Sequence, residues 1–183
     1  MARIPDLRPE QLSERQRTLA AQLGASRGGG LATNGPWGLL LRSEELCALA
    51  GQFGTYLRDH TRVPRRLSEL AIIVVARFWS ASFEWAAHAP QAKAAGISEP
   101  IIEAIRTNNP PPITAADERA VYVFMIELLQ QHRVSDATYK SVVDLLDEAG
   151  AIELTTIAGF YAAIAMLIQA FEVDPLGGQL NPF

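Results

Sequence analysis

Glu69, Arg77, Glu84 and His88 sit among Ile, Val, Phe and Trp in the stretch 64–96. A charge in so apolar a segment is costly unless it is paired or used. These residues therefore lie on an exposed stripe, or they form a site. Histidine gives and takes protons near neutral pH, so His88 is the first candidate for proton transfer or for stabilising a developing oxyanion. Glu84 lies one turn earlier on the same helical face, placed to orient the imidazole or shuttle its proton. Glu69 would complete a catalytic trio. Each has a plainer reading. His88 could be a core imidazole bonded to a backbone carbonyl. Glu84 could pair with His88 or Arg77, and Glu69 with Arg65 or Arg66, four and three residues back. Arg42, Arg62, Arg65, Arg66 and Arg77 could take substrate carboxylates by bidentate contacts. Arg66 and Arg77 are the expected substrate-binding pair, with Trp37 and Trp85 as pocket walls. Glu84 and His88 have i,i+4 metal-ligand spacing, but two ligands without a third do not make a zinc-type site, and no metal is expected.

The elements must bring these residues together. At 100° per residue, Arg66, Glu69, Arg77, Ser80, Glu84 and His88 fall within about 100° of one another. On one straight helix, Glu69 and His88 would be about 28 Å apart, at a rise of about 1.5 Å per residue. A shared site needs a break. Ser80 and Ser82 are able to cap a new helix, so the pattern predicts a break within 79–83. Glu84 would then lie in a first helical turn, where the dipole favours negative charge.

The rest of the chain supplies the frame. Its 183 residues suit one domain, and 49% are hydrophobic, with Ala, Leu and Ile favouring helices. Pro9–Gly24 reads as a first helix after an extended arm. Ser43 to His60 reads as a second, Ser98 to Thr107 as a short one, and Thr114 to Gln131 as another. Ser135 caps a helix ending at Gly150, and Ala151 to Phe171 forms a buried apolar one. The Gly28-Gly29-Gly30 run lacks the context of a phosphate loop and reads as linker. Asn34-Gly35-Pro36-Trp37 is a turn able to hold Trp37 over a pocket. Asn108 to Pro112 must be loop, because a proline run cannot continue a helix. His60 and His132 sit near helix ends as structural residues. No stretch reads as strand, so the expected class is all-α. It divides into an extension and linker (1–34), a core (35–174) and a loop-like tail (175–183). Glu69-Leu70-x-x-Ile73 recurs as Glu153-Leu154-x-x-Ile157, a weak internal helix-pair repeat.

A net charge of −4 gives no broad electrostatic reason to bind nucleic acid or anionic membrane. The lone Cys47 excludes an intrachain disulfide and any two-cysteine redox motif. The charged N-terminus lacks a signal-peptide core, and the run Ile157 to Ile168 is shorter than the roughly 20 residues of a membrane span. A cytoplasmic protein with no membrane partner is expected.

The stretch RRLSELAIIVVARFWSASFEWAAHAPQAKAAGIS resembles the carboxymuconolactone decarboxylase family, which includes the AhpD-like alkylhydroperoxidases. The resemblance is clearest over 62–105 and extends more loosely to 35–37 and 114–174. It implies an AhpD-like helical bundle that assembles as a homotrimer or homohexamer. The peroxidase branch carries a Glu, then Cys-x-x-Cys, then a His four residues on. Glu69 and His88 match, while the cysteine positions fall on Ala81 and Glu84. Dithiol chemistry is thereby lost, because it needs a thiolate. Glu84-Trp85-x-x-His88 resembles the decarboxylase branch instead. The chain is longer at its N-terminus than the short decarboxylases, which leaves the substrate open. The resemblance implies cofactor-free loss of CO2 from a small carboxylated lactone or related ring acid, whose own carbonyl is the electron sink. A lactone hydrolase or isomerase on the same scaffold, and a non-catalytic binding protein, are the alternatives.

Overall fold

Leu67 to Ala76 are all buried, without a solvent-facing side. A helix hidden on every side belongs at the centre of a bundle, and Arg65–Phe78 (α4) is that centre. The structure, a computed structural model, describes residues 2–25, 29–178 and 180–183. Every regular element among them is helical. Ser82–Ala94 (α5), Glu99–Arg106 (α6), Ala116–Ile126 (α7) and Asp136–Ala170 (α8) pack around α4. Leu70, Ile73, Val75, Val121, Met125, Leu154 and Ile157 fill the space between them.

Glu14–Ala25 (α1), Gly35–Leu40 (α2) and Glu44–Asp59 (α3) build a second cluster against the far end of α8. Leu12, Leu23, Leu41 and Cys47 meet Ile164 and Ile168 there. The first helix does not run unbroken from Pro9. A short 3-10 turn, Pro9–Gln11, precedes α1. Ser13 and Gln16 then cap each other: the Gln16 amide donates to Ser13 Oγ at 3.1 Å, and the Ser13 amide to Gln16 Oε1 at 2.9 Å. Of the glycine run, Gly29 and Gly30 have positive φ, and Gly28 lies outside the described residues.

The break expected at Gly150 comes three residues earlier and is local. Asp147 has φ 63° inside α8, and its Oδ1 accepts the Gly150 amide at 2.8 Å, recapping the helix. By length and composition α8 is long and apolar enough to cross a membrane, the one such helix among the described residues. In this bundle its apolar residues Leu154, Ile157, Ala158, Tyr161, Ile164 and Ile168 are buried in the core. The helix expected to reach Gln131 instead closes with a wide π turn, Glu127–Gln131, ending at left-handed His132. The Glu127 carboxylate crosses to the start of α8, accepting the Ser135 amide at 2.7 Å and the Thr138 hydroxyl at 2.8 Å. The repeated Glu153 does not copy Glu69. It clamps the α3–α4 loop, accepting from Tyr56, Thr61 and the Arg62 amide.

Candidate functional site

The chain breaks between α4 and α5 inside the window the polar stripe requires. Ser80 takes a left-handed conformation, φ 50°, which costs about 1–2 kcal/mol for a non-glycine residue. The serines do not cap as expected. The residue at the start of α5 is Ala81, with no side-chain cap, and Ser80 Oγ meets Arg77 Nη1 at 3.3 Å. The turn is held from outside: Gln169 Nε2 of α8 donates to the carbonyls of Trp79 and Ser80, at 2.6 and 2.7 Å.

The resulting hairpin lays α5 along α4 and brings Glu69 to His88, with Oε2 and Nδ1 2.9 Å apart. A carboxylate only accepts, so the imidazole proton sits on Nδ1 and Nε2 remains for chemistry. The Glu69 side chain is fully buried. Arg65 Nη2 lies 2.8 Å from its other oxygen as an ion pair one turn back. That oxygen receives no aligned hydrogen bond, since the guanidinium N–H turns to Gln91 Oε1. Both readings of Glu69 therefore meet in one side chain: it pairs with Arg65 and orients His88. The Tyr161 ring stands edge-on to the imidazole, with centroids 5.0 Å apart.

Glu84 is the contrasting carboxyl. It is 2% exposed, and neither oxygen has a hydrogen-bond partner in the protein. Desolvation alone pushes its pKa well above the usual carboxyl range. Glu69 has a guanidinium and an imidazole beside it, while Glu84 has neither, and burial favours its protonated form. Burial, with the acidic side chains of Glu69 and Glu84 nearby, likewise drives the Tyr161 phenol upward.

These groups border a cavity of about 810 Å³ between α2, α3, α5 and α8. Trp37, Phe83, Phe160 and Tyr161 give it aromatic walls, and Arg65 and the Arg58–Asp59 pair, 2.9 Å apart, give it charged groups. Leu31, Ala32 and Asn34 make part of the wall, so the N-terminal extension helps to shape the site. Two positions need glycine for this. Gly35 has φ +59°, and a Cβ there would lie 2.3 Å from the Phe83 ring; at Gly54 it would lie 2.9 Å from the Phe160 ring.

Of the residues expected in the site, Trp37, Glu84 and His88 line the cavity, and Glu69 stands behind His88. The others are placed elsewhere. Trp85 is buried, its ring edge against Phe183 at 5.3 Å. Arg66 is paired with Asp117 and Glu118. Arg77 donates to the Arg106 carbonyl at 2.8 Å and covers the Phe183 ring at 4.8 Å, so it anchors the tail. Arg42 holds the carbonyls of Gly38 and Pro5. The basic residues of the cavity are Arg58, which nothing in its local sequence marks, and Arg65, one of the five candidate arginines. Tyr161 also went unnoticed. Its neighbours in sequence are apolar, and only the fold carries it to His88. Among the described residues no group of three or more His, Cys, Asp or Glu is placed to hold a metal ion.

No family model matches the chain, and no curated protein matches it. Four chains of solved structures do. One is the debrominase Bmp8, crystallised as a cysteine-to-alanine variant in complex with 2,3,4-tribromopyrrole. It is 12% identical, with a TM-score of 0.74, over 97% of this chain and 91% of that one. At that identity the likeness establishes a shared all-helical fold.

Proposed function

We propose that the protein is a cofactor-independent lyase that removes CO2 from a small carboxylated lactone or related ring acid. The observation that carries this reading is the Glu69–His88 hydrogen bond, 2.9 Å long, with His88 lining a cavity that also presents Arg58 and Arg65. The resemblance of 62–105 to carboxymuconolactone decarboxylases supports it. The fold likeness to Bmp8, whose complex holds a small ring compound, agrees with the size of ligand proposed.

In this mechanism Arg58 and Arg65 keep their pairing to Asp59 and Glu69 and present their remaining N–H donors to the substrate's carboxylates. The ring carbon–carboxylate bond breaks, and its electron pair passes through the conjugated C=C bond to the lactone carbonyl oxygen. CO2 leaves. The imidazolium form of His88, balanced by Glu69, then delivers a proton to carbon, a step in which general acids contribute about 10²–10⁴-fold. Aromatic walls exclude water from the developing charge. Cys47 is fully buried and belongs to the cluster behind α3, so no thiol step enters. A single buried cysteine suits action in a reducing cytoplasm.

The test is CO2 release from a carboxylated five-membered lactone such as carboxymuconolactone. His88→Ala should lower turnover at least about 100-fold in protein that remains folded, with a lower Tm because buried Glu69 loses a partner, while Cys47→Ser leaves turnover unchanged. Folded His88→Ala protein with undiminished turnover would sink the reading.

A further inference from the structure

Glu84 is not explained by decarboxylation through His88 alone. It is 2% exposed, lines the cavity, and points two oxygens at no protein partner. A buried polar group without a partner is costly, and the fold keeps this one a single helical turn from the imidazole. A carboxylic acid there holds one O–H donor; both oxygens are closed off as they stand, and a side-chain rotation brings the donor to an oxygen of the ligand. On the same face, His88 has Nδ1 committed to Glu69 and Nε2 available as a base. A base and a neutral acid on one cavity, set apart by their surroundings, form an acid–base pair for enolisation.

We propose that Glu84, as a carboxylic acid, donates a hydrogen bond to the carbonyl oxygen of the bound compound, and that His88 moves a proton between two carbons of small unsaturated carbonyl compounds carrying no carboxylate. This rests on the reading of Glu69–His88 as a proton-transfer pair and adds an activity to it. His88 Nε2 takes a proton from the carbon between the carbonyl and the C=C bond. The C–H electron pair spreads onto the carbonyl oxygen, which Glu84 stabilises as an oxyanion-hole donor. The imidazolium returns its proton to the far end of the conjugated system, moving the double bond. Nothing is oxidised or reduced, and no co-reactant is consumed.

The probe is α-angelica lactone, a β,γ-unsaturated five-membered lactone without a carboxylate, followed in D2O by proton NMR. Wild-type protein should wash deuterium into the ring and form the α,β-isomer above the buffer rate. His88→Ala and Glu84→Leu should each slow this at least about 100-fold. Glu84→Gln, neutral and still a donor, should stay within about tenfold. The ionisable groups around the cavity are Arg58 and Asp59 from α3, Arg65 and Glu69 from α4, His88 from α5 and Tyr161 from α8. All of them persist in Glu84→Gln. Wild-type exchange should therefore fall as pH rises through the raised Glu84 pKa, and the Gln variant should lack that fall. This comparison decides even if Glu84→Leu does not fold.

No wild-type exchange alongside decarboxylation of a carboxylated lactone would overturn this proposal and leave the lyase reading standing. Wild-type exchange rates in folded His88→Ala would overturn the proton-transfer pair itself. A loss in Glu84→Gln as deep as in Glu84→Leu would mean that Glu84 works ionised, and the donor role would fall.

Discussion

Glu84 leaves a mark on stability as well as on chemistry. Its folded pKa is raised by burial, while in the unfolded chain it titrates as an ordinary carboxyl. Between those two values the native state holds a proton that the unfolded state has released. Stability then falls as pH rises, by up to about 1.4 kcal/mol per pH unit. Glu84→Gln has no proton to keep. Relative to wild type it should gain stability as pH rises above the ordinary carboxyl range, read as Tm by calorimetry at each pH. Parallel pH profiles for the two proteins would refute the assignment. Single residues differ in how far sequence exposes them. Glu84 and His88 are legible because they are four apart on one helix and out of place among Trp and Phe. Arg58 and Tyr161 are not, because each looks ordinary in its own helix and reaches the cavity through contacts made by distant chain.

The α4–α5 break is the element on which the site depends. Its existence follows from the polar stripe, which makes sense only if the helix turns back on itself. The means of holding it is invisible in the local sequence, since the amide that bridges the Trp79 and Ser80 carbonyls belongs to Gln169, on α8. A capping serine is a local device and can be read off a window of residues. A bracket from another helix cannot. Gln169→Ala should cost about 1 kcal/mol, the worth of an ordinary hydrogen bond. It should also speed amide hydrogen exchange at 80–83 more than at the centre of α4. Unchanged exchange in the turn would mean that water serves those carbonyls equally well. The break in α8 teaches the same lesson in reverse: Gly150 drew attention as a stop signal, but Asp147 made the turn and Gly150 supplied the amide that caps it.

The whole molecule keeps one apolar face in water. Leu46, Leu49, Phe53 and Tyr56 recur along a single side of α3, each at least 44% exposed. Ile152 of α8 is 67% exposed. The composition of Ala151–Phe171 points to an interface on α8, and Ile152 and Met166 stay exposed there, beside the longer stripe on α3. Exposed apolar stripes of this kind mark assembly surfaces, and a homotrimer or homohexamer remains the expected state. Light scattering should find an oligomer at micromolar concentration, and Leu49→Glu should dissociate it without lowering helix content. A wild-type monomer would refute this. The hairpin has a consequence for inheritance. Glu69 and His88 are nineteen residues apart, so the pair is encoded in one short stretch that carries its own turn. Trp37, Arg58 and Tyr161, which shape what enters, are encoded far away in α2, α3 and α8. Under the proposed mechanism, reactivity and selectivity are therefore written in separate passages of the chain, and mutation can rewrite the walls while leaving the Glu69–His88 pair untouched.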